Sequence, residues 1–155
     1  MIRVLFVCWG NICRSPMGEY ILKQLVEERG VSDHFYIASA ATSSEEIGNP
    51  VYPPARRELA AHGIDCSGHA ARRIRKSDAE TFDYIIGMEE LHLRIMRKTF
   101  GSRAEGKLFR CLEFTASPDR EIDDPWYTGR FSEVYEQILE GCEGFLDYLE
   151  RNHLL

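Results

Sequence analysis

The most constraining feature is an apolar run, Ile2 to Val7, that breaks into Cys8-Trp9-Gly10-Asn11-Ile12-Cys13-Arg14 before Ser15-Pro16 opens a segment with helical spacing. A short Val- and Ile-rich run with no alternation suits a strand buried on both faces. Ser15 suits a helix N-cap and Pro16 a first helical position. Met17, Ile21 and Leu25 share one helix face, with Leu22 and Val26 beside it, and Gly30 suits the stop. Strand, short loop and helix in that order form the opening of a parallel α/β unit.

The pattern then repeats. Phe35 to Ala41, Tyr84 to Met88 and Lys107 to Leu112 read as further strands, and Ala55 to His62 and Leu91 to Lys98 as helices. Ser43 to Pro54 is rich in turn formers, and Ala116 to Gly129 reads as a long irregular connection. Phe131, Val134, Ile138, Cys142, Phe145 and Leu149 recur every three or four residues, which marks a last amphipathic helix. The expectation is an α/β fold: a single domain over residues 1–155, with an open parallel four-stranded sheet and helices on both faces, as in Rossmann-like proteins.

The formal net charge of -6 argues against broad nucleic-acid binding and against anionic membranes, both of which reward basic surfaces. The first apolar run is too short to span a bilayer and carries Arg3, and no small-residue cleavage site follows it. Five cysteines (Cys8, Cys13, Cys66, Cys111, Cys142) without a secretion signal suggest reduced thiols in a cytoplasm. No Cys-x-x-Cys or His-x3-His spacing appears, so no metal site is expected.

The loop after the first strand lies where open α/β sheets place their ligands. Successive backbone amides in such a loop can face inward as an anion nest, and the helix that follows adds its positive end. Gly10 lets the chain turn there. A sulfur at Cys8 is stabilised as the thiolate by the same dipoles. Arg14, six positions later, can hold two phosphate oxygens in a planar fork. Nucleophile and clamp together suit a phosphoryl dianion.

Val7-Cys8-Trp9-Gly10-Asn11-Ile12-Cys13-Arg14-Ser15-Pro16 resembles the signature loop of the low-molecular-weight protein tyrosine phosphatases. Ser39-Ala40-Ala41-Thr42-Ser43 with Ile47-Gly48-Asn49-Pro50 resembles that family's second segment, and Asp124-Pro125-Trp126-Tyr127 its acid loop. The resemblance runs in order over nearly the whole chain. It implies the phosphotyrosine phosphatase fold and hydrolysis of phosphotyrosine proteins or small aryl phosphates without cofactor or metal. It implies Cys8 as nucleophile, Arg14 as clamp, and Asp124 as general acid, because the family's acid directly precedes the proline; Asp123 is the competing carboxylate. Ser15 is given a second role beside its cap, a hydrogen bond that eases departure of the Cys8 sulfur. Asn11, Ser39 and His69 match positions that brace the loop in one hydrogen-bond network. Trp9, Trp126 and Tyr127 become walls for the substrate ring, and Cys13 a partner for reversible oxidation with Cys8. A monomer or weak dimer is expected.

Two departures stand out. Val51-Tyr52-Pro53-Pro54 replaces a stretch where the family often has an acidic residue and then Arg, which should alter the rim. Glu89 follows the Met closing the third strand, where the family often has Asp. Neither is expected to touch the chemistry. Among alternatives, an arsenate reductase of this architecture needs relay cysteines near the third strand, and none lies between Gly68 and Arg110. A protein-arginine phosphatase tends to have Thr where Ile12 stands. A non-catalytic phosphate-binding module would lose the nucleophile or the acid.

Overall fold

The structure is a computed structural model describing residues 1–155. Its centre is strand β1 (Ile2–Cys8), in which every residue from Val4 onward is buried. β1 is flanked by β2 (Phe35–Ala41) and β3 (Tyr84–Gly87), and β3 by β4 (Leu108–Arg110). All pairings are parallel and the order is β2-β1-β3-β4. Alternate β1 residues serve opposite faces. Val4, Phe6 and Cys8 join the larger core, while Leu5 and Val7 join a smaller one with Phe82, Ile85, Leu93 and Met96. Double burial is why Val4 to Cys8 reads as an apolar run without alternation.

Helix α1 (Arg14–Glu28), α2 (Pro53–Ala61) and α6 (Phe131–Arg151) cover the larger core. The short α3 (Asp78–Thr81) and α4 (Glu90–Phe100) cover the other face. α1 lies close on β1 because position 18 is glycine: a Cβ there would come 2.6 Å from the Phe6 ring. That approach sets the mouth of α1 against the end of β1. The outer neighbours of β1 are reached by connections running in opposite directions, so a crevice forms at the carboxyl ends of β1 and β3.

Several expectations are corrected. Ser15 is not the N-cap of α1: the helix begins at Arg14, Cys13 holds the cap position, and the first helical bond runs from Met17 N to Cys13 O. Pro16 still fits, since its missing N–H falls in the first turn. α2 starts at Pro53, two residues before the apolar periodicity, because two prolines suit a first turn. β4 spans three residues, not Lys107 to Leu112, since Cys111–Phe114 winds into a 3₁₀ turn under α6. The irregular Ala116 to Gly129 stretch contains one helical turn, α5 (Pro125–Thr128), capped by the Asp124 side chain. No helix is long and apolar enough to cross a membrane.

Candidate active site

Backbone geometry builds the loop first. Asn11 has a positive φ of 61°, a conformation that Asn tolerates better than most residues. The turn brings Cys8, Trp9, Gly10, Ile12, Cys13 and Arg14 around one cavity of about 150 Å³. The backbone amides of Trp9 to Cys13 make no hydrogen bond within the chain, although Asn11, Ile12 and Cys13 are buried. Buried amides without partners are costly, so a run of them beside one cavity marks an acceptor-binding site.

A side-chain network centred on the buried Asn11 and Ser15 braces this loop. Asn11 Nδ2 donates to Ser15 Oγ (2.7 Å), and Asn11 Oδ1 accepts from Arg72 N (3.1 Å). His69 Nε2 lies 2.7 Å from Asn11 O. A carbonyl only accepts, so that nitrogen carries the proton. Ser15 Oγ, already accepting from Asn11, sits 3.0 Å from Cys8 Sγ and 3.4 Å from Ala40 O. When Cys8 is the thiolate, which can only accept, the Ser15 hydrogen turns from Ala40 O to the sulfur, and Ser15 N lies 3.4 Å from the same atom. Ser39 does not join this network. It donates to Glu19 Oε1 at 2.6 Å, because on β2 it pairs with Phe6, two residues short of the level of Cys8.

Arg14 is buried, and its guanidinium is caged. Nη1 donates to Glu89 Oε1 and to Ile122 O, each at 2.8 Å, and Nη2 lies 3.4 Å from Asp124 Oδ2. Glu89 thus grips the arginine of the loop, contrary to the expectation that this departure lies outside the chemistry. It lies two residues past β3, at the crevice edge and just before α4, and that position was the signal that could have found it. The carbonyl of Ile122 had no sequence signal.

Asp124 lines the Cys8 cavity; Asp123 is exposed and does not. Asp124 Oδ1 accepts from Trp126 N (3.0 Å), which aims the other oxygen at Arg14. Trp9, Trp126 and Tyr127 all line the cavity. Trp9 Nε1 donates to Glu45 Oε2 (3.1 Å), and the Trp126 ring packs on Tyr52 with centroids 4.6 Å apart. Glu45 and Glu46 complete the rim and carried no motif. Cys8 and Cys13 are both free thiols. Burial first, then the neighbouring Cys8, pushes the Cys13 thiol up, which favours its protonated form.

Behind Arg14 stands His92, fully buried. Its Nδ1 accepts from Met88 N (3.3 Å) and Glu89 N (3.1 Å), which holds the turn that presents Glu89. Burial, and after it the Arg14 charge, lowers its pKa from 6.5 to about 3. The ring therefore stays neutral when folded but takes a proton near pH 6.5 when unfolded. Its contribution to stability is complete above pH 6.5 and is lost as pH falls from there towards 3. From pH 6.5 to 5 the loss is about 2 kcal/mol, at about 1.4 kcal/mol per unit. Urea unfolding at pH 7 and pH 5 should show that drop in the wild type and a smaller one in His92→Gln. An equal drop in both would assign the acid sensitivity to another group.

The sequence profile of the family described as low molecular weight phosphotyrosine protein phosphatase matches residues 3–154. The chain is 36% identical over 156 residues to the low molecular weight protein-tyrosine-phosphatase YfkJ of Bacillus subtilis, covering all of both chains. It is 34% identical to PtpA of Staphylococcus aureus, over 98% of this chain and 96% of that one. The crystal structure of YfkJ superposes with a TM-score of 0.93, covering 98% of this chain and 96% of that chain at 37% identity. A protein tyrosine phosphatase of Entamoeba histolytica, with Hepes in its active site, gives 0.92 at 27% identity and 99% coverage of both chains.

Proposed function

This chain belongs to the low-molecular-weight protein tyrosine phosphatase family, and on that footing we propose that it hydrolyses phosphotyrosine with Cys8 as nucleophile, Arg14 as phosphate clamp and Asp124 as general acid. The observation that carries the assignment is the cavity in which the Cys8 sulfur, the unpartnered amides of the loop and the buried Arg14 guanidinium meet.

The Cys8 sulfur attacks phosphorus as the thiolate, and the bond from phosphorus to the phenolic oxygen breaks. The loop amides and Arg14 take the equatorial oxygens of the moving phosphoryl group. Asp124 protonates the departing phenolate, whose phenol has a pKa of about 10. The same carboxylate then takes a proton from a water that attacks the phosphocysteine, releasing phosphate and restoring the thiolate. Ser15, polarised by Asn11, donates to the sulfur as it leaves. An incoming phosphate displaces Asp124 as the neighbour of Nη2, freeing the acid for the leaving group. Five free, buried cysteines support a cytoplasmic setting.

Matched phosphotyrosine, phosphoserine and phosphoarginine peptides, assayed with a chelator present, test the reading. The phosphotyrosine peptide should be turned over selectively and without regard to the chelator. Asp124→Asn should lower kcat on it by about 10²–10⁴-fold with little change in KM. Equal turnover of phosphoarginine would favour the arginine phosphatase instead, and an undiminished Asp124→Asn enzyme would move the acid role to another residue.

A further inference from the structure

The Cys8 cavity continues on one side into a groove of about 480 Å³ along the start of α2. Ile12, Glu46 and Trp126 line both, so the groove extends the active site. Pro50, Val51 and Pro53 give it an apolar floor. Proline lacks the N–H of a strand edge, so this floor favours side-chain contact over strand pairing. Arg56 and Arg57 line the groove but not the Cys8 cavity. Both are exposed, and neither side chain comes within ion-pair or hydrogen-bond distance of a partner. Asp65, whose pKa is lowered first by hydrogen bonds from Ser67 and then by the Arg56 charge, lies near Arg56. The nearest carboxylate on α2, Glu58, is engaged by His62 (3.1 Å) and Ser132 (2.6 Å).

The opposite flank has the reverse charge. A hollow of about 470 Å³ on the other side of the mouth shares Trp9, Arg14, Asp124 and Tyr127 with the cavity and adds Glu89 and Asp123. The mouth is therefore polarised, with carboxylates on one flank and free guanidinium groups on the other. The stretch that departs from the usual acidic-then-Arg pattern, Val51 to Pro54, forms part of the basic flank and places no acid there.

We propose that the groove from Pro50 to Arg57 is a peptide subsite that selects phosphotyrosyl chains bearing an acidic residue on that flank, with Arg56 and Arg57 as specificity-determining residues. The proposal rests on the phosphatase reading above. Glu46 lies between the cavity and the two arginines, with its carboxylate held by Asn49 Nδ2 at 2.6 Å. It opposes an acid directly beside the phosphotyrosine, so the preference belongs farther out. An extended chain advances about 3.3 Å per residue, so the favoured acid sits beyond the residue adjacent to the phosphotyrosine. Carboxylates on the other flank repel the same side chain there, so the charge pattern also orients the peptide.

The test scans a single Glu or Lys along both flanks of a phosphotyrosyl peptide and compares kcat/KM, each rate divided by that on p-nitrophenyl phosphate for the same sample. Wild-type enzyme should prefer Glu over Lys about fivefold at a distal position on one flank only, the size of a peripheral charge pair. Raising the salt should erase the preference. Arg56→Glu/Arg57→Glu should reverse it, and Arg57→Gln should reduce it. Indifference to charge, a preference for Lys on both flanks, or a preference that survives charge reversal would overturn the proposal. A wild-type enzyme inert on p-nitrophenyl phosphate would overturn the phosphatase reading first and this subsite with it.

Discussion

Cys8→Ser should abolish turnover of phosphotyrosine and of aryl phosphates, with kcat falling on the order of 10⁴-fold or more. The substitution exchanges one atom of similar shape, so the cavity and its amides stay in place. What changes is the reacting group. Sulfur in this loop lies against Ser15 Oγ and Ser15 N and in the proposed scheme attacks as the thiolate, whereas a serine hydroxyl there has no base to take its proton. His69 faces the carbonyl of Asn11, and His92 faces the amides of Met88 and Glu89. Asp124 is committed to the leaving group in the proposed scheme. Acid quenching during turnover should therefore trap a phosphate adduct in the wild type by intact mass and none in Cys8→Ser. Near-normal turnover by the serine protein would end the covalent scheme.

Arg14→Lys should lower kcat by about 10³-fold, although the positive charge is kept. Arg14 serves three partners at once: Glu89 and Ile122 O through Nη1, and Asp124 through Nη2. That arrangement fixes the guanidinium plane and leaves its remaining donors for the phosphoryl group. An ammonium is a point donor without a plane. Drawn to Glu89 it abandons the phosphate, and drawn to the phosphate it leaves a part-buried carboxylate and a buried carbonyl without their donor. The check is kcat on p-nitrophenyl phosphate beside a thermal melt. A folded Arg14→Lys enzyme within tenfold of wild type would show that charge alone suffices and would remove the planar clamp from the mechanism.

The cage around Arg14 also separates what was readable along the chain from what was not. Cys8 and Arg14 belong to one strand-turn-helix unit, and their spacing on either side of the Asn11 turn already places nucleophile and clamp at one loop. A short apolar run without alternation likewise reveals the buried strand, and a period of about 3.6 the opening of α1 and the long last helix, since both are local patterns of the chain. Ser15 was given both a cap and a bond to the Cys8 sulfur. Cys13 holds the cap position instead, while Asn11 and the sulfur claim the hydroxyl. Ser39 was misplaced because a motif match says nothing of register, and pairing with Phe6 turns it to Glu19.

The amino-acid sequence by itself determined the α/β alternation, the anion-binding turn and the Cys8–Arg14 pair, because each depends on dihedral preferences and spacing within one short stretch. Tertiary structure alone decided that Glu89 and Ile122 would lock Arg14, that Asp124 would come within reach of it, and that Arg56 and Arg57 would stand on one side of the mouth. Those contacts join segments far apart in the chain. They exist because the order β2-β1-β3-β4 sets the carboxyl ends of β1 and β3 side by side, and no local pattern records which distant segment will be packed against that edge.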